Sequence, residues 1–144
     1  MTTNENKQLV GRYLSEVVNG RQFEVAGGIL SPDFAMNHPV VTGTIKSAAG
    51  FRETMASLFS AFPDLHVTLE EVTAEQDAVA VRLGWRGTHR GEFIGFAATG
   101  QPFAITGSAV YHVIDGRITR AWEELDLFGL LQQVGALPGM ASME

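Results

Sequence analysis

The chain has 144 residues, with 10 Lys and Arg against 16 Asp and Glu, a net charge of −6 and no Cys. This length suits one hydrophobic core and predicts a single domain over residues 1–144, while the acidic balance without a basic cluster argues against a nucleic-acid partner. Without Cys there is no disulfide framework, thiolate nucleophile or Cys-based zinc site; a polar N-terminus and no run near the ~18 apolar residues of a membrane span point to a soluble, cytoplasmic protein with no membrane partner.

Thr3 or Asn4 can cap a first helix, on which Leu9, Val10, Tyr13, Leu14, Val17 and Val18 recur at helical spacing until Asn19-Gly20. Phe23, Val25, Ala26, Ile29 and Leu30 suggest a short second helix, weakened by Gly27-Gly28 and stopped by Ser31-Pro32-Asp33. Residues 34–38 read as a short extended piece, because Pro39 biases His38 away from helical angles. Ser47 then caps a third helix carrying Phe51, Met55, Leu58, Phe59 and Phe62, ended by Pro63-Asp64.

Beyond Pro63 the hydrophobic period changes to two. Leu65, Val67 and Leu69 alternate with polar residues, as do Val79, Val81, Leu83 and Trp85, with a polar turn over residues 74–77 between them. A third strand, from about Pro102 to Ile114, turns through Asp115-Gly116 into a fourth from Arg117 to about Leu125. Leu127, Leu130, Leu131 and Val134 form a closing helix, and residues 136–144 read as a frayed tail. Helices followed by a four-strand antiparallel meander predict an α+β fold, with the N-terminal helices packed in a strongly curved antiparallel sheet. Glycines at 84, 87, 95, 100 and 107 suit sharp bends of that sheet into a cone-shaped α+β barrel with an apolar pocket inside.

One acid is out of place: Asp126 falls where the apolar fourth strand gives way to an apolar helix, costly for a charge unless partnered or used. The four His are scattered without metal-ligand spacing, so no metal site is expected. Gly87-x-x-x-Gly91 lacks the Lys-Ser/Thr and helix of a phosphate loop, and no Ser lies in a G-x-S-x-G elbow.

The Tyr13 helix, Asp33-Phe34-Ala35-Met36-Asn37-His38-Pro39, Phe62-Pro63-Asp64-Leu65, Gly87-Thr88-His89-Arg90-Gly91-Glu92-Phe93, Thr99-Gly100, Asp115-Gly116-Arg117-Ile118 and, most specifically, residues 122–135 together form a recognisable pattern. On these residues the chain resembles the SnoaL-like polyketide cyclases of the nuclear-transport-factor-2-like superfamily. The resemblance implies a general acid/base carboxylate for intramolecular aldol closure of a hydrophobic, carbonyl-bearing substrate, with no metal, nucleotide or other cofactor. Asp126 matches that carboxylate and His112 a neighbouring pocket histidine. The resemblance also implies a homo-oligomer, dimer or tetramer, formed through the open face of the sheet.

Each assignment has a plainer rival. Asp126 shares a strand face with Trp122 and Glu124, which would turn it inward, or it simply caps the closing helix. His112 orients Asp126, or donates to an enolate oxygen, or is a hydrogen-bonded core residue. His38 is a polarising pocket residue or a turn residue. Tyr13 donates to a ligand or to a backbone carbonyl. Phe51, Met55, Phe59, Trp85 and Trp122 would wall a site for a planar, polycyclic ligand, with Phe93 in the loop that sets its volume. A dehydratase, an isomerase or an epoxide hydrolase using Glu124 and Arg82 is the second reading. A pocket without Asp126 or His112 on its wall, or too small for a ring system, would instead favour a non-catalytic binding or dimerisation module.

Overall fold

The computed structural model describes residues 2–138. Helix α1 (Thr3–Arg12) starts one residue earlier than its sequence suggests. Thr2 Oγ1 accepts from Glu5 N–H at 3.1 Å and the Glu5 carboxylate accepts from Thr2 N–H at 3.1 Å, a reciprocal capping box. The helix continues as π-helical turns over Tyr13–Asn19. At their end, a Cβ on Gly20 would stand 2.6 Å from the Glu16 carbonyl oxygen, so only glycine closes the turn there. Asn19 docks this helix on the sheet, donating to Val67 O at 2.7 Å and accepting from Val67 N–H at 2.8 Å.

A 3-10 turn (Phe23–Val25) and the single-turn α2 (Ala26–Ile29) lead into β1 (Leu30–Asn37); β2 (Ile45–Lys46) precedes α3 (Ser47–Ala61). The remaining elements are β3 (His66–Glu75), β4 (Ala78–Thr88), β5 (Pro102–Ile114), β6 (Arg117–Leu125) and α4 (Leu127–Gln133). The expected four-strand meander is therefore part of a six-stranded sheet in the order β2-β1-β6-β5-β4-β3. The piece expected over residues 34–38 belongs to an eight-residue strand that runs parallel to β6, pairing Met36 with Ala121 and Asn37 with Trp122. The fold is α+β, and the curved sheet is mixed and unclosed, because its edges β2 and β3 are not paired to each other.

The helices lie in the concavity of the sheet, α1 against β3 and β4 and α3 against β1. Inward side chains alternate along the strands: Val79, Val81, Leu83 and Trp85 on β4, and Phe103, Ile105, Ala109, Tyr111 and Val113 on β5, are all buried. On β6 the alternation breaks. The register with β5 shifts between His112 and Val113, so Ile118 and Ala121, three residues apart, both face inward. From there Glu123 is inward and Trp122 outward, and that bulge decides which acid enters the cone. At the start of the expected tail, Ala136 and Leu137 N–H both donate to Leu131 O, at 2.9 and 3.1 Å. Residues 139–144 of the expected tail lie outside the described residues.

Candidate functional site

Twelve side chains from the π turns after α1, from β1 and the residue that follows it, and from β2, α3, β3, β4 and β6 enclose a space inside the cone, among them Tyr13, Met36, His38, Phe51, Met55, Trp85 and Glu123. Nearly every wall is apolar. Its one acid is Glu123, 5 % exposed. Burial pushes this carboxyl up to about 8, because the charged form loses its hydration and gains no cation. The two ion pairs among the described residues, Arg12–Glu16 and Arg82–Glu71, lie on the surface. The same carboxyl acts on the phenols of Tyr13 and Tyr111, which burial, and secondarily its charge, hold well above the usual range. Tyr13 and Tyr111 stack edge to face at 5.6 Å.

His38, the residue after β1, is also buried, and burial lowers its imidazole to about 4. It is neutral at pH 7. Val40 N–H donates to His38 Nδ1 at 3.3 Å, fixing the ring, which lies 6.0 Å from the indole of Trp85. The free space among these groups is only about 10 Å³, room for about one water-sized body.

A second space adjoins the first. Thr54 on α3 lines both the interior cavity and a solvent-open groove of about 320 Å³. The groove is walled by Val40 and Val41 after β1, Glu53, Ser57 and Leu58 on α3, and Glu92, Phe93 and Ile94 of the β4–β5 loop. Phe93 and Phe96 pair across a tight turn in which Ile94 and Gly95 take φ of 42° and 89°. Buried His89 anchors this loop, its backbone bonded to Gln101 and Gly100 and its Nδ1 3.2 Å from Thr99 Oγ1.

Of the residues expected at a site, Tyr13, His38, Phe51, Met55 and Trp85 meet around the interior cavity, and Phe93 lines the groove. Asp126 does not join them. It is exposed and caps α4, its Oδ1 accepting from Gly129 N–H at 3.0 Å. His112 and Trp122 lie on the outer face of the sheet, rings 4.9 Å apart, with the Arg120 guanidinium 4.7 Å over Trp122. Phe59 faces away from the cavity, between Phe23 and the Arg21 guanidinium. Arg82, Glu124 and Asp126 do converge, on a shallow groove of the outer face. Glu123 is not among the residues expected at a site, because a strict two-residue repeat carried along β6 from Ile118 places it on the outer face.

Among the described residues there is no group of three or more His, Asp or Glu suited to hold a metal ion, and no helix long and apolar enough to cross a membrane. The family model described as SnoaL-like polyketide cyclase matches residues 8–134. Similar crystal structures include a proposed SnoaL-like polyketide cyclase from Jannaschia sp. CCS1, with 24% identity, 94% of this chain and 95% of that one covered, and a TM-score of 0.85. AclR from Streptomyces galilaeus, a proposed hydroxylase, matches with 26% identity over 98% and 87% of the chains and a TM-score of 0.83. IdmH from Streptomyces antibioticus, a proposed polyketide cyclase, matches with 26% identity over 90% and 98% and a TM-score of 0.80. No curated protein matches the chain.

Proposed function

The chain belongs to the SnoaL-like polyketide cyclase family, and from that premise we propose that it is a cofactor-independent enzyme moving protons on an enolisable carbonyl compound, with Glu123 as general acid and base. The observation that carries this reading is a carboxyl buried among apolar and aromatic walls and pushed up to about 8. A base of that strength is matched to taking a proton from carbon next to a carbonyl near neutral pH. In a cyclase reaction the Glu123 carboxylate removes that proton. The enolate carbon then bonds to a second carbonyl carbon of the same molecule, and the alkoxide so formed takes the proton back from Glu123.

Exchange of the α-hydrogens of 2-tetralone in D₂O tests the acid/base step without knowledge of the natural substrate. Wild type should accelerate exchange, with a rate that rises with pH and levels off above about 8. Glu123→Gln should lose about a hundredfold or more. Asp126→Ala should keep the activity and lose only the helix cap, about 1 kcal/mol of stability. Full exchange in Glu123→Gln together with loss in Asp126→Ala would return the role to Asp126.

Two observations favour the rival reading, a non-catalytic binder: neither Asp126 nor His112 is on the cavity wall, and the free space is about 10 Å³. Glu123 answers the first of these. The adjoining groove answers the second, since it can hold the body of a ligand too large for the interior. A wild-type protein that binds 2-tetralone without accelerating exchange would decide for the binder. We place the family's self-association on the outer face of the sheet, where Val110, Ile114 and Trp122 are about two-fifths exposed. Sedimentation should then find a dimer or tetramer that Trp122→Glu dissociates, and a monomeric wild type would refute it.

A further inference from the structure

We infer that His38 and Trp85 form a two-donor site for the carbonyl oxygen of the substrate, so that the protein selects compounds presenting an unhindered carbonyl at the edge of a larger body lying in the Thr54 groove. The inference rests on the proton-transfer reading in one respect: it assigns the substrate class and the oxygen-holding groups of the same cavity.

Two buried nitrogens carry it. Trp85 Nε1 and His38 Nε2 are both inaccessible to solvent and neither has a protein hydrogen-bond partner, although both residues line the cavity that holds Glu123. Buried polar groups without partners are uncommon and costly, at about 1–3 kcal/mol each. The indole nitrogen can only donate. The imidazole has the same polarity here, because its Nδ1 lone pair is occupied by Val40 N–H at 3.3 Å and the proton of the neutral ring must therefore sit on Nε2. His38 stays neutral at pH 7, as its burial dictates. Two N–H donors, on residues whose rings lie 6.0 Å apart, thus belong to the wall of a small space that also contains an acid/base carboxyl.

What satisfies two donors at once is an oxygen with two lone pairs, and a carbonyl oxygen becomes a better acceptor as enolisation places negative charge on it. Donors already in place stabilise that charge without reorganising. The size of the space agrees. About 10 Å³ holds an oxygen atom and not a ring, whereas the groove beyond Thr54 offers about 320 Å³ between Val40, Val41, Leu58, Phe93 and Ile94. A fused polycycle buried within the cone, which its aromatic residues suggest from sequence, does not fit. A ring whose carbonyl edge alone passes Thr54 does.

Cyclohexanone and its oxygen-free isostere methylenecyclohexane distinguish oxygen recognition from simple filling of apolar space. The Trp122→Phe variant leaves Trp85 as the only indole, so its N–H can be followed by ¹⁵N NMR together with His38 Nε2–H. Cyclohexanone should move both signals downfield and methylenecyclohexane should not. Trp85→Phe and His38→Phe should each reduce the preference for the ketone by about tenfold, a selectivity that a purely structural role would leave unchanged. The downfield shifts should persist in Glu123→Gln, so failure of Glu123 as the base would not be mistaken for failure of the oxygen site. Equal responses to the two probes, or no downfield shift up to the solubility of cyclohexanone, would overturn the inference.

Discussion

Replacing Glu123 with Gln should remove a pH dependence of folding stability worth about 5 kcal/mol. Burial raises the carboxyl from an ordinary value near 4.5 to about 8 in the folded protein, and each pH unit of such a difference is 1.36 kcal/mol. Between those two pH values the unfolded chain has released the Glu123 proton and the folded chain still holds it, so stability falls as pH rises; above about 8 both states are ionised and the loss is complete. His38 acts in the opposite direction. Its folded value of about 4 lies below the ordinary 6.5, so the unfolded state takes up the proton first and stability falls as pH drops from 6.5 toward 4. The two residues nearly cancel between pH 4.5 and 6.5. Their joint contribution in wild type is thus a plateau there, followed by a fall of about 2 kcal/mol up to pH 8. In Glu123→Gln the fall should vanish and the His38 rise of about 3 kcal/mol between pH 4 and 6.5 should stand alone. Urea unfolding of both proteins at pH 4.5, 6.5 and 8 reads this directly. A difference between them that does not change with pH would mean that Glu123 is not a buried acid, and would remove the basis of the proposed chemistry.

The residue behind this pH dependence is concealed in the sequence. Hydrophobic spacing finds the long helix α3, the four long strands and the Asp115-Gly116 turn, because each carries its own period over ten or so residues. It understates β1, which alternates Phe34 and Met36 inward but draws its hydrogen bonds from β6, over eighty residues away. The candidate site is half legible for the same reason. Tyr13, Phe51, Met55 and Trp85 sit at the periods of their own elements and face the cavity as expected. On β6, extrapolation of a strict two-residue repeat and the bulk of Trp122 turn Trp122, Glu124 and Asp126 inward. A one-residue irregularity against β5 reverses the assignment. No local pattern announces that bulge, and its effect is to exchange Asp126 for Glu123. The helix-capping alternative for Asp126, by contrast, was local, and Gly129 N–H is where it predicts.

Gly91→Ala should be the most damaging single methyl added to the chain, while the same change at Gly11 should stabilise it. The loop between β4 and β5 is held on the end of α3 by two hydrogen bonds into one carbonyl, from Arg90 and Gly91 N–H to Ala61 O at 2.9 and 3.1 Å. That contact brings the Gly91 backbone so close that a Cβ would lie 2.2 Å from Ser60 O and 3.0 Å from its carbonyl carbon. The obstructing atoms are helix backbone and cannot rotate away. Either the loop lifts from α3, separating Phe93 from Phe62, or the end of the helix distorts and shifts Phe62 against both Phe93 and Phe103, whose rings lie 4.9 Å from it. A cost of about 3 kcal/mol or more is expected, at the upper end for overpacked sites. Gly11 lies within α1 with nothing within 4 Å of its Cβ position, so alanine there should add about 0.5–1 kcal/mol by restricting the unfolded chain. Thermal unfolding of the two variants should therefore shift in opposite directions. Amide exchange adds a local readout, since Arg90 and Gly91 should lose protection in Gly91→Ala before the β4–β5 ladder does. Because this loop supplies Phe93 and Ile94 to the groove, lifting it should also weaken cyclohexanone binding; unchanged stability with unchanged binding would show that the loop is not seated against α3 in solution.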